Sequence, residues 1–143
     1  MDVLKEIIYM NLIQIKGSGT QVFNASNMTG KTSGVAAGTC SLPAGNINLG
    51  VKSISVTTTA SKAVVVLYNK YGQTFDARML TTGNTTVGSM TAVFDLADAS
   101  DEQIDGLYVV VNMFSAVENY TSIGTYAGTV YGPFSINSIT VTY

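Results

Sequence analysis

Three groups of residues in this 143-residue chain carry side chains suited to chemistry. The first is aromatic. Tyr120, Tyr126 and Tyr131 share the stretch 116–132 with Glu118 and Asn119, while Tyr68 and Tyr71 flank the turn Asn69-Lys70-Tyr71-Gly72. Tyrosine rings can stack on the apolar C–H faces of a sugar while amides and carboxylates pair with its hydroxyls. Tyr120, Tyr126, Tyr131, Asn119, Tyr68 and Tyr71 are therefore the candidate carbohydrate-binding residues. Tyrosines also cap β-sandwich cores with their hydroxyl in water, and the chain has no tryptophan to strengthen a stacking platform. The second group is acidic: Asp95, Asp98, Asp101, Glu102 and Asp105 fall within eleven positions. Oxygen ligands suit calcium, so Asp98, Asp101 and Asp105 are candidate Ca2+ ligands, with no other cofactor indicated. Their spacing is not that of an EF-hand loop, and a solvated acidic turn is the favoured account of them. The third group, Ala25-Ser-Asn-Met-Thr-Gly30-Lys31-Thr32, has the outline of a phosphate loop. Such a loop needs a helix after it to aim N–H groups at phosphate. Gly34, Gly38 and Pro43 follow instead, which reads as strand or loop.

Catalytic equipment is sparse. The chain has no histidine, which removes the usual general base and the Ser-His and Cys-His nucleophile pairs. Ser61 and Lys62 are adjacent, and strand neighbours point to opposite faces. A carboxylate pair such as Asp76 and Glu118 is available for glycoside chemistry, but nothing singles it out. Cys40 lies among small and apolar residues without basic neighbours, the setting of an inert buried thiol. The expectation is a non-catalytic protein. Charged residues are only 11%, the net charge is −2 and the isoelectric point about 4.8, so nucleic acid is not an expected partner. Charge is lopsided, +4 over residues 1–75 and −6 over 76–143, which would let complementary surfaces of identical subunits meet. The apolar run from Ile7 to Ile15 is broken by Asn11 and Gln14 and is too short to span a bilayer, so no membrane partner is expected. Asp2, Lys5 and Glu6 ahead of it do not read as a secretion leader.

Those groups must be positioned by strands. Eight runs qualify: Gln21–Ala25, Val35–Leu42, Val51–Thr58, Ala63–Asn69, Thr74–Leu80, Ser89–Asp95, Leu107–Phe114 and Phe134–Thr142. They are separated by turn signals such as Pro43-Ala-Gly45, Gly83-Asn84 and Gly132-Pro133. The last run alternates, with a phase shift at Asn137-Ser138 that predicts a bulge. The continuous runs Val64–Leu67 and Leu107–Val111 predict central strands covered on both faces. Ala97–Asp105 reads as a loop or one helical turn capped by Ser100, and 116–132 as a long loop. The fold class is all-β, an antiparallel sandwich of about eight strands with an N-terminal arm. Two units are expected: residues 1–20, an anchor or oligomerisation arm with a Lys16–Thr20 hinge, and residues 21–143, the β-domain. Within the arm, Leu4, Ile8, Leu12 and Ile15 fit a helix stripe, and Ile7, Tyr9, Ile13 and Ile15 fit a strand face. Leu4, Ile7, Ile8, Leu12, Ile13 and Ile15 are the candidate assembly residues, which would bury against a neighbouring subunit.

From Ala63-Val-Val-Val-Leu-Tyr68 through Phe94-Asp95-Leu96 and Ile104-Asp-Gly-Leu-Tyr-Val-Val-Val111 to Gly132-Pro-Phe-Ser-Ile-Asn-Ser-Ile139, the chain resembles a carbohydrate-binding-module-type β-jelly roll. In such modules the last strand often carries an Ile-Asp-Asn-Ile pattern whose acid touches a structural calcium. Here Asn137 stands where that acid would be. The resemblance covers residues 63–143 and implies the fold first. Few charges, many Thr and Asn, and no evident export signal together suggest a virion-surface structural protein of the capsid-decoration, head-fibre or tail-fibre sort. It would be assembled in the host cytoplasm, its partners other structural subunits or copies of itself, with adhesion to surface glycans a further expectation. The alternative is a secreted carbohydrate-binding module or lectin-like domain.

Overall fold

In a computed structural model, residues 15–143 are described. Twelve strands form the fold: β1 (Thr20–Phe23), β2 (Thr29–Gly30), β3 (Ser33–Val35), β4 (Ala37–Leu42), β5 (Ser53–Ala60), β6 (Lys62–Tyr68), β7 (Thr74–Thr81), β8 (Gly88–Asp95), β9 (Tyr108–Phe114), β10 (Ala116–Ser122), β11 (Thr125–Tyr131) and β12 (Pro133–Thr142). One short helix, α1 (Asp101–Ile104), precedes β9. Two five-stranded antiparallel sheets face each other. In the first the order is β1-β12-β5-β8, with β3 also on β12; in the second it is β2-β4-β9-β6-β7. The architecture is an all-β jelly-roll sandwich, and each of the eight expected strands is present. The short β2 and β3 and the pair β10–β11 were not anticipated.

Alternation builds the core. Ile54, Val56, Thr58 and Ala60 of β5, and Phe134, Ile136, Ile139 and Val141 of β12, point inward from the first sheet. Ala63, Val65 and Leu67 of β6 and Val109, Val111 and Met113 of β9 meet them from the second. Phe94 is fully buried between the layers, and burial of a side chain of that size stabilises by about 1.5–3 kcal/mol. The β12 phase shift is a register irregularity between Ile136 and Ser138 against β5, as expected. The extra residue keeps Ile136 and Ile139 both inward despite their odd spacing. The outward side of β5 is Ser53, Ser55, Thr57 and Thr59, and Thr57 Oγ1 lies 3.1 Å from Thr91 Oγ1 across the ladder. This is where much of the chain's hydroxyl content resides.

One expectation needs correction. β6 and β9 are central in their sheet, but only one of its faces is covered by the other layer. On the outer face, among the described residues, Val64 and Val110 are half-buried and Val66 is buried, with no second sheet laid over them. At the edge, β7 turns charge inward: Arg78 pairs with Asp76 at 2.7 Å, and its guanidinium lies 4.9 Å from the Phe94 ring centroid. An inward charged pair discourages further strand addition at that edge. Partial burial works to raise the Asp76 carboxyl. The Arg78 hydrogen bond, the Ala77 N–H and the guanidinium charge outweigh it and hold the group below its usual value.

The expected helical turn is α1, where Ser100 and Gln103 cap one another reciprocally. The Lys16–Thr20 stretch, expected as a hinge, is tied down. Gly17 N–H donates to Leu49 O and Tyr143 N–H to Gly19 O, each at 2.9 Å. Tyr143 clasps this region: its ring lies against Gly17, its hydroxyl donates to Gln21 Oε1 at 2.9 Å, and the same oxygen accepts from Asn48 N–H at 3.0 Å. Among the described residues no helix is long and apolar enough to cross a membrane.

Two outcomes follow from the core. Thr58 is fully buried and its hydroxyl has no hydrogen-bond partner among the described residues. Thr58→Val removes that uncompensated polar group, so urea unfolding is expected to show a gain of about 1–3 kcal/mol. Burial raises the Cys40 thiol to about 11. A thiol reagent at pH 8 is therefore expected to label Cys40 far more slowly in the folded protein than in urea.

Candidate functional site

Residues 116–132, expected as a loop, form a β-hairpin, β10–β11. The local reasons are readable afterwards. Ala116–Ser122 and Thr125–Tyr131 are rich in aromatic and β-branched residues and are separated by the two residues Ile123-Gly124. Gly124 takes a φ of +78°, a backbone conformation open to glycine at no steric cost. Among the described residues the hairpin is a separate two-stranded sheet that pairs with neither layer. Its base is held firmly. Gly132 N–H donates to Ser115 O at 2.9 Å and Glu118 N–H to Asn84 O at 2.7 Å. Ser115 is itself fully buried, with its N–H donating to Ala36 O and its Oγ accepting from Ala36 N–H.

The register sorts the tyrosines. Tyr120 pairs with Tyr126, Glu118 with Thr129, and Ala116 with Tyr131, so these residues share one face of the hairpin. Register shifts around Tyr120 bring Tyr126 onto that face. The Tyr120 and Tyr126 rings meet edge-on with centroids 5.6 Å apart. Tyr120 Oη donates to Glu118 Oε2 at 2.6 Å, and Tyr126 Oη lies 2.7 Å from Thr129 Oγ1. The Glu118 hydrogen bond, reinforced by its negative charge, raises the Tyr120 phenol above its ordinary value. Asn119 pairs with Gly128 and belongs to the opposite face, so it does not join the three tyrosines.

The hairpin is also apolar and open. Tyr120, Tyr126, Tyr131 and Val130 are each about half exposed, and Ile123 at the turn is 107% exposed. Sequence reasoning missed Val130 and Ile123. The signal was the two-residue Ile123-Gly124 break between alternating runs, obscured by the loop-like content of Gly, Thr and Ser. Glu118 is the hairpin's single charged residue.

The other tyrosines lie elsewhere. Tyr68 stacks on Tyr108, centroids 5.3 Å apart, at the end of β6 remote from the hairpin base. Tyr71 is 76% exposed with Lys70 Nζ 5.5 Å from its ring centroid, and it lines an open cleft of about 250 Å3 with Phe75, Glu102 and Gln103. The six candidate carbohydrate residues therefore fall into two separate places. The aspartates also stand apart. Asp101 pairs with Lys16 at 3.3 Å and Asp105 with Lys70 at 3.5 Å, and Asp98 is exposed. Among the described residues no group of three or more Asp, Glu, His or Cys is placed to hold a metal ion. Of the candidate assembly residues, Leu4, Ile7, Ile8, Leu12 and Ile13 lie outside the described residues. Ile15 is half exposed, and its carbonyl accepts from Leu49 N–H at 2.9 Å.

No protein-family model matches this chain, and no curated protein matches it in sequence. Among solved structures it is similar to TmCBM61 in complex with β-1,4-galactotriose, at 12% identity over 88% of this chain and 89% of that one, with a TM-score of 0.42. It is similar to an exo-β-1,3-galactanase from Phanerochaete chrysosporium, at 13% identity over 87% of this chain, with a TM-score of 0.42; the match spans 29% of the galactanase. It is also similar to the coat protein of Tobacco streak virus, at 11% identity over 87% of this chain and 84% of that one, with a TM-score of 0.40. The fold stands on this chain's own strand order, and these likenesses add no argument about ligand or assembly.

Replacing Glu118 by Gln removes both the negative charge and the carboxylate acceptor that retain the Tyr120 proton. Titration of tyrosine absorbance or ring chemical shift is expected to show the Tyr120 phenol ionising at lower pH in Glu118→Gln than in the parent.

Proposed function

We propose that this chain is a non-catalytic structural subunit of a virion surface, of the decoration or fibre type, with a jelly-roll body and the β10–β11 hairpin as its contact element. The observation that carries the reading is the hairpin: a firmly based but separate two-stranded sheet presenting Tyr120, Tyr126 and Tyr131 to solvent on one face, with Val130 exposed on the other and Ile123 at the turn. An isolated hairpin is marginal in water, and contiguous apolar exposure on a stable domain marks an interaction site. The lack of histidine supports a non-catalytic role. The hydroxyl-covered outer side of β5 suits a body surface that faces water without charge.

A second reading, glycan adhesion, is favoured by the single face shared by Tyr120, Tyr126, Tyr131 and Glu118. One pair of measurements separates the two. Multi-angle light scattering of the full chain is expected to show concentration-dependent assembly beyond the 15.0 kDa monomer, with a glycan array giving no hits. A monomer at every concentration that binds a glycan, with binding lost in Tyr120→Ala and Tyr126→Ala, would replace the structural reading by the adhesive one.

A further inference from the structure

We propose that the outer face of the second sheet is a dimer interface, covered by the same face of a second copy of this chain. The inference deepens the assembly reading by naming a contact separate from the hairpin. The apolar runs Val64–Leu67 and Leu107–Val111 are those of strands covered on both faces. Among the described residues only the inner face is covered by another sheet. Ala63, Val65 and Leu67 of β6 and Val109, Val111 and Met113 of β9 take that inner side. Alternation then sets Val64, Val66 and Tyr68 beside Tyr108, Val110 and Phe114 on the outer one. β7 adds Met79 and Ala77, which pair with Val64 and Val66. Met79 is 67% exposed and Phe114 40%. The outer face of the first sheet is different in kind, since β5 carries Ser53, Ser55, Thr57 and Thr59 there. Strands of this protein that meet water carry hydroxyls; β6 and β9 carry valine and aromatic rings. A contiguous apolar patch on a folded domain marks a contact surface.

Charge and area name the occupant. Among the outward positions of β4, β6, β7 and β9, Lys62 is the single charged residue. Charge is depleted in this way at the core of interfaces, and homodimer interfaces are the more apolar class. Two copies laid face to face are related by a two-fold axis. Lys62 stands at the end of β6 that pairs with Phe114, and Tyr68 at the other end stacks on Tyr108. An axis running along the strands would set Lys62 against Lys62 of the second copy, a repulsive contact. An axis across the strands, at the level of the Val65–Val111 pair, avoids it. Lys62 then lies over Tyr68 of the second copy, a favourable cation–ring contact, and Phe114 meets Tyr108 of the second copy, ring against ring. β6 and β9 are seven residues long, so four strands make a face of about 19 Å by 23 Å. Two such corrugated faces bury on the order of 1,000 Å2, the size at which specific interfaces begin.

The test separates this face from the hairpin. Light scattering of Tyr126→Lys, which places a charge on the hairpin's tyrosine face, is expected to show a dimer still. Adding Met79→Lys to that variant is expected to raise the dissociation constant at least tenfold, with circular dichroism unchanged. The axis is tested by charge exchange. Lys62→Glu and Tyr68→Lys are each expected to dimerise more weakly than the parent. Mixed, they are expected to form a 1:1 heterodimer, because Glu at 62 of one copy then meets Lys at 68 of the other. This pair also decides the matter if the Met79 variant fails to fold. If the parent assembles but Tyr126→Lys is monomeric, or Met79→Lys leaves its dimer unchanged, the face is not the contact and the hairpin reading survives. A mixture of the folded charge variants that stays monomeric overturns the contact as well. A parent that is monomeric at every concentration removes both readings. Shifts in the Val66, Val110 and Met79 methyl resonances of such a monomer on adding a glycan, or on deleting residues 2–14, would assign the face to that occupant instead.

Discussion

A single layer of apolar side chains between two sheets is the constraint on which everything else hangs. Strands β1, β5, β8 and β12 on one side and β4, β6 and β9 on the other supply its buried residues, and nearly all of those residues have no contact with water. Because the side-chain period of a strand is two, any slip in register would turn a set of core residues outward. The bulge at Asn137 is the clearest consequence. β12 must send both Ile136 and Ile139 inward, and a regular strand cannot. Of the three fully buried polar residues, Thr58 leaves its hydroxyl without a partner among the described residues, and the two serines serve the backbone. Ser61 and Ser115 are fully buried at the rim, and their hydroxyls bond to main-chain groups of Phe114 and Ala36.

That rim is what makes a projecting hairpin tenable. β9 ends at Phe114, Ser115 locks the chain to Ala36, and β10 departs immediately after it. Gly132 closes the return path before β12 re-enters the body. The rigid sandwich thus fixes where the hairpin begins and ends, while the hairpin's own stability depends on what its faces and edges meet. The sandwich carries the buried core, while no side chain of the hairpin is buried among the described residues.

At the other end of the molecule Tyr143 does comparable work for the chain entry. Its ring against Gly17 and its hydroxyl between Gln21 and Asn48 bind residues 15–21 to the body. The entry of the chain and its hairpin are thereby held at opposite ends of the sandwich.

Local order along the chain was enough for much of this. Alternating runs, turn residues and the phase shift at Asn137 placed eight strands, one capped helical turn and one bulge, because each depends on neighbours a few residues away. The hairpin at 116–131 escaped because Gly, Thr and Ser dilute its pattern and no buried residue marks it. The second-sheet valines looked covered on both faces because a run such as Val64–Leu67 does not say what lies above it. Which tyrosines share a face was also hidden, since cross-strand register sets it: Tyr120 and Tyr126 meet through a shift in pairing, while Asn119 is turned away. Alternation and turn spacing determined an all-β chain, and composition removed the histidine-based routes to catalysis. Only the tertiary structure decided that three of its exposed tyrosines stand on a separate hairpin, because the partners of a strand edge are chosen across the fold and not along the chain.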